Sequence, residues 1–279
     1  LPISYNNWLF RVVVPCSAHA CTHTLVRPIE ASRMIEMLTT TELLFCALTL
    51  LAAYFVRGIT GFGSALVAVP LLSLLLPVTV VVPVVILLDY LSSLSHGVHH
   101  RKQVLWREIF PLTPFTLMGI VTALYLMKTV EPGALTLALG IFVMLYALYS
   151  LLQIKPQQGS RLWAVPLGFL AGLVGTTFGT GGPFVVIYLT LRQLDKLTFR
   201  GTIAVIFLID GGMRLVGYTL SGFFNQDLLL WTLLSIPLAV VGMWGGGQIH
   251  IGLSQQRFVQ IVSVVLLASG SALLLKSWG

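Results

Sequence analysis

The chain has 279 residues, of which 57% are hydrophobic and 9% charged. Soluble domains are about 25% charged and need a polar shell, so this composition excludes a soluble enzyme, a disordered chain and a DNA-binding domain. The net charge is +7, but the basic residues sit in short loops between apolar runs. That is the positive-inside pattern of a polytopic helical membrane protein and gives no reason to expect nucleic acid as a partner.

Residues 1–36 differ from the rest: they lack helical periodicity and carry Pro2, Pro15 and Pro28. They are expected to form a poorly ordered N-terminal extension. Two readings stand for it: a stretch upstream of a start at Met34 or Met37, or a signal peptide ending near Ala18-His19-Ala20. Cys16, His19, Cys21 and His23 follow no zinc spacing, so no metal is expected. Cys46 lies in an apolar run and is expected to be packed.

Apolar runs follow at 43–76, 78–95, 109–126, 133–152, 162–191, 202–220, 228–248 and 258–275. Six have the length of one crossing, about 20 residues at 1.5 Å rise. The runs of 34 and 30 residues are too long, and each holds a Gly-rich break. One break is Gly58-Ile-Thr-Gly61-Phe-Gly63-Ser64 and the other lies between Gly172 and Gly182. Shifting the sequence by 118 lays the breaks on each other: Ala53, Val56, Gly61, Gly63, Val67 and Leu71 fall on Ala171, Val174, Gly179, Gly181, Val185 and Leu189. This predicts two membrane repeats, 37–155 and 156–279. Each has four helical elements and opens with a Gly-broken helix. Interrupted apolar segments at matching places in two halves mark a transporter binding site.

Loop charges separate crossing from re-entry. If every run crosses once, the loop cations split six against five. If each broken run returns to its own side, Arg101, Lys102, Arg107, Lys155, Arg161, Arg192, Lys196, Arg200 and Arg257 share one side, with Lys128 and Lys276 opposite. The second pattern is the better positive-inside arrangement. It leaves three crossings per half, which makes the repeats inverted.

Arg57, Asp89, His96, Asp210 and Arg214 fall inside apolar runs or at their ends. Charge there is costly, so such residues face a protein interior or an aqueous path. Asp210 and Arg214, at i,i+4, can neutralise each other on one helix face. Asp89 can pair with Arg57 across elements, or either aspartate can carry a coupled proton. At the 118-residue shift Arg214 falls on His96. Each break should be followed by a short helix, starting near Ser64 and Pro183, with Ser64 as a cap and Pro183 in the first turn. Free N–H groups and the positive helix end would then face the membrane interior. Thr60, Ser64, Thr176, Thr177 and Thr180 add hydroxyls, while Gly61, Gly63, Gly179, Gly181 and Gly182 let a backbone approach a ligand. The competing reading is that these glycines serve only helix packing.

Gly61-Phe-Gly63-Ser64 with Pro70-Leu71, and Phe178-Gly179-Thr180-Gly181-Gly182-Pro183, resemble the paired glycine motifs of the TauE/SafE sulfite-exporter-like permeases. Phe199-Arg200-Gly201-Thr202 and Gly242-Met-Trp-Gly245-Gly246 also resemble that family, and the likeness covers about residues 42–276. The usual run of three glycines is altered: Ser64-Ala65 stands in the first motif, and only two glycines precede Pro183 in the second. The resemblance implies a secondary transporter of a small anion (sulfite, an organosulfur compound or a carboxylate) in the cytoplasmic membrane, with no cofactor. A membrane-embedded enzyme and a non-transporting scaffold are the alternatives. No His-Glu-x-x-His, Gly-x-Ser-x-Gly or Walker loop is present. The expected partners are a small anion and the lipid bilayer, and a homo-oligomer is compatible with this reading.

Overall fold

In the computed structural model, residues 38–61, 63–96, 104–151, 158–224, 226–248 and 255–278 are described. The extension with Cys16, His19, Cys21 and His23 lies outside them. Among the described residues all regular structure is helical. The chain forms α1 (Thr40–Thr60), α2 (Ser64–Leu72), α3 (Val78–His96), α4 (Trp106–Thr129) and α5 (Pro132–Leu151). A 3-10 turn (Arg161–Trp163) leads into α6 (Ala164–Phe178), α7 (Gly182–Leu191), α8 (Lys196–Leu220), α9 (Gln226–Gln248) and α10 (Gln255–Trp278).

Local chemistry sets several of these ends. Thr39 and Glu42 form a capping box at the start of α1, satisfying N–H groups that would otherwise be orphaned. Asp195 caps α8 by accepting from the N–H groups of Leu197 and Thr198, at 3.2 and 3.1 Å. Gly61 and Gly179 stop α1 and α6 in the left-handed conformation, with φ of 82° and 73°. The second break is shorter than the glycine spacing suggests. α6 continues through Gly172 and Gly175 to Phe178, leaving only residues 179–181 outside the helices.

Large apolar side chains point outward along the bundle: Phe110, Leu220 and Trp244 are 70%, 83% and 69% exposed. Such a surface fits contact with lipid. By length and composition six described helices can cross a membrane: Thr40–Ile59, Trp106–Thr129, Pro132–Leu151, Arg161–Phe178, Leu197–Leu220 and Leu228–Gln248.

Two helix pairs are packed to backbone contact. On α1 and α9, Gly242 lies against Leu51 and Tyr54, and a side chain on Gly246 would strike the carbonyl of Phe55. On α4 and α6, a side chain on Gly172 would strike the carbonyl of Thr116, and one on Gly119 that of Phe169. Small residues permit this approach in lipid, where dispersion contacts supply the association. The order of contacts makes the two helices of each pair parallel.

Both broken segments fold back. The Gly159 N–H, just before α6, donates to the Leu191 carbonyl at the end of α7 (3.0 Å), and Arg192 returns a bond to the Gly159 carbonyl (2.6 Å). Buried Glu108 locks this end, accepting from Tyr188 at 2.7 Å and pairing with Arg161 and Arg192 at 3.1 Å each. In the first half, Leu38 before α1 and Leu76 after α2 share a small cluster with Val80. The Lys276 ammonium donates to the Leu74 carbonyl beyond the end of α2 (2.8 Å).

Candidate transport site

Arg57 sits in the last turn of α1, held beside the first break. Its guanidinium pairs with Asp89 of α3 at 3.1 Å and donates to the Ser64 hydroxyl (3.0 Å), the Asp89 carbonyl (3.0 Å) and the Ser93 hydroxyl (2.8 Å). The Asp89 carboxylate also accepts from Tyr54 (2.8 Å) and Ser64 (2.6 Å). Ser64 is therefore not the cap of α2. Gly63 occupies the cap position with φ of 95°, and no side chain bonds the first N–H groups. The Ser64 hydroxyl is drawn instead to the charged pair, where its bonds are charge-assisted.

The second half builds its charge differently. Arg214 of α8 pairs with Asp210 one turn earlier on the same helix and donates to the Ala171 carbonyl of α6 at 3.1 Å. The guanidinium lies on the backbone of both Gly175 and Gly181, where any side chain would collide with it. Gly181, expected to admit a ligand, is thus required by Arg214 and by the Ala171 carbonyl. Pro183 stands in the first turn of α7, and the Gly181 cap again leaves the helix start without a side-chain bond. Phe178 and Phe184 flank the break, and both contact the ring of Phe142 on α5, with centroids 5.8 and 6.3 Å away.

These parts meet around one cavity of about 80 Å³. Arg57, Asp89, Asp210 and Arg214 line it, together with Gly63 from the first break and Gly179, Thr180, Gly182 and Pro183 from the second. Both uncapped helix starts therefore face the same space, each carrying about half a positive charge. Thr180 lines the cavity with a buried hydroxyl that has no partner; Thr176 and Thr177, also buried, leave theirs unpartnered. Among the expected residues, Gly61 borders a neighbouring, larger space, and Thr177 is buried outside the cavity lining. The side chains of Thr60 and His96 lie outside the described residues.

That larger space, about 1050 Å³, is bordered by Trp106 of α4, Met243 and Gln248 of α9, and the Ala204–Ile209 stretch of α8. Arg57, Ser93 and Phe207 border both spaces. Sequence reasoning missed Tyr54, Ser93 and Phe207, although each had a helical signal. Tyr54 is three residues before Arg57, Ser93 four after Asp89, and Phe207 three before Asp210, so each shares a face with a residue already singled out.

The sequence profile described as "Sulfite exporter TauE/SafE" matches residues 45–273. The chain belongs to the sulfite exporter TauE/SafE family. As a TauE/SafE protein it is a multi-pass membrane transporter of the cell membrane and not an enzyme. It is 26% identical over 200 residues to a probable inner membrane transporter protein TsaS of Comamonas testosteroni, covering 70% of this chain and 82% of that one. A probable membrane transporter protein of Haemophilus influenzae is 26% identical over 222 residues, covering 73% and 84%. A probable sulfite/organosulfonate exporter TauE of Cupriavidus necator is 22% identical over 233 residues, covering 80% and 90%. No solved structure matches the chain.

Proposed function

We propose that the chain carries a small anion (sulfite, an organosulfur compound or a carboxylate) across the membrane through the cavity between its two Gly-rich breaks. The observation that carries this reading is the convergence of two uncapped helix starts, two arginines and the buried, unpartnered Thr180 hydroxyl on one space. Each arginine is offset by its own aspartate, so the attraction left for a ligand comes from the helix ends and the outer faces of the guanidinium groups. A site of that strength holds an anion and also releases it.

The same reading takes 37–155 and 156–279 as inverted repeats with re-entrant opening segments. Three observations support it: the fold-back of both broken segments, the pairing of α1 with α9 and α4 with α6, and the nine-to-two division of loop cations. In it the crossings are α3, α4, α5, α8, α9 and α10, a different six from those selected by length and hydropathy. The larger space lies toward the ends of α3, α4 and α9 that lead into loop 97–108, with Arg101, Lys102 and Arg107, and loop 249–257, with Arg257. It is then a vestibule on the cytoplasmic side, from which an anion is loaded for export.

Anion flux into proteoliposomes, screened with sulfite, thiosulfate, sulfonates and small carboxylates, tests the function. Saturable flux of at least one of them, reduced by R57Q, is expected. No flux of any anion by the folded protein would overturn the reading.

A further inference from the structure

The two spaces differ in what they can hold. A volume of about 80 Å³ lies well below the roughly 300–1,000 Å³ of pockets that enclose drug-sized ligands, so it suits a compact oxyanion better than one with a carbon tail. The vestibule of about 1050 Å³ is wide enough for a drug-sized ligand and has apolar walls, including Trp106, Val240 and Trp244. A tailed anion with its head between the helix starts has to place its tail there.

Of the three side chains bordering both spaces, Arg57 and Ser93 are bonded to each other and to the Asp89 network, which fixes them. Phe207 alone has no polar anchor in this group. Its ring lies against the start of α7: a side-chain carbon added at Gly182 would meet ring atoms at 3.4 and 3.8 Å. It therefore stands beside one of the two anion-attracting helix ends. It shares its face of α8 with Asp210 and Arg214, and at the 118-residue shift it corresponds to Asp89, the polar wall of the other half. One half thus borders the cavity with a carboxylate network and the other with an aromatic ring that is partly buried against a core cluster.

We propose that Phe207 is the specificity gate between the anion cavity and the vestibule. Its ring encloses a tail-less oxyanion and has to swing aside for an organic anion. This rests on the anion-site reading above. The wall's identity then sets the ratio of affinities for tailed and tail-less anions, and a purely structural residue would leave that ratio alone.

The test is displacement of radiolabelled sulfite from the purified full chain by unlabelled sulfite and by butanesulfonate, read as the ratio of the two affinities. F207A is expected to shift the ratio toward butanesulfonate by tenfold or more. The bulkier F207W, which keeps an aromatic core contact, is expected to shift it the other way and covers the case in which F207A fails to fold. R57Q is expected to weaken both anions together and leave the ratio within threefold. An unchanged ratio in folded F207A or F207W, with sulfite still bound, overturns the gate alone. Absence of both sulfite and butanesulfonate binding in the folded wild-type chain overturns the gate, and absence of flux of every screened anion overturns the anion site with it.

Discussion

Removing the charge of Arg57 separates an anion-binding role from a structural one, because the structure shows what is left behind. In R57Q the anion loses one charge-assisted hydrogen bond, worth about 1.5–3 kcal/mol. At 1.4 kcal/mol per factor of ten, that is roughly tenfold to 150-fold in affinity. The variant also leaves Asp89, which pairs with Arg57 at 3.1 Å, as an uncompensated carboxylate on the cavity wall. Two like charges about 5 Å apart at an effective dielectric of about 20 repel by roughly 3 kcal/mol. R57Q should therefore weaken binding by about a thousandfold or more. In R57Q/D89N the repulsion is gone and only the lost contact remains, so affinity should recover to within about tenfold to 150-fold of wild type. D89N alone keeps an oxygen to accept from Tyr54 and Ser64 while removing the negative charge. It should bind anion roughly tenfold more tightly and turn over more slowly. Displacement of labelled sulfite, with folding checked by size-exclusion chromatography, gives all four affinities. Wild-type affinity in the double variant would refute the reasoning, since Arg57 would then serve only to neutralise Asp89.

Three further outcomes are expected. Cysteines placed in loops 97–108, 153–161, 192–200 and 249–257 should all resist an impermeant reagent added to intact cells. Labelling at 192–200 with protection at 97–108 would restore eight plain crossings. G246V should lower the melting temperature in detergent, because its side chain meets the Phe55 carbonyl and must part α1 from α9. Overpacking of this kind costs about 1–3 kcal/mol, and a wild-type melting curve would show that the pair is looser than described. The Thr198 hydroxyl and N–H, with the Leu197 N–H, hold the Asp195 carboxyl below its ordinary value of 3.8. A depressed pKa makes the cap fully stabilising above that value and weaker as the pH falls through the lowered one. Amide exchange at Leu197 and Thr198 should therefore lose protection in acid, and D195N should flatten this pH dependence. Equal pH dependence in both would rule out the carboxylate as the cap.

What the sequence by itself determined is local or additive. Apolar runs with few charges dictate membrane helices, because an unbonded backbone is too costly in lipid. Gly61, Gly63 and Gly179 interrupt those helices because they hold left-handed conformations that other residues rarely adopt. The Asp210–Arg214 pair follows from helical spacing alone. Tertiary structure decided what depends on elements distant in the chain. Arg57 and Asp89 are 32 residues apart, and only the packing of α1, α2 and α3 brings Tyr54, Ser64 and Ser93 to the same carboxylate and guanidinium. Ser64 read as a helix cap, yet an ion pair nearby offered its hydroxyl a stronger partner than its own helix start. Gly181 read as space for a ligand, yet the guanidinium of Arg214, carried in by α8, takes that space. Helical spacing put Phe207 on the face of Asp210, but its position between two cavities exists only once α3, α7 and α8 surround them.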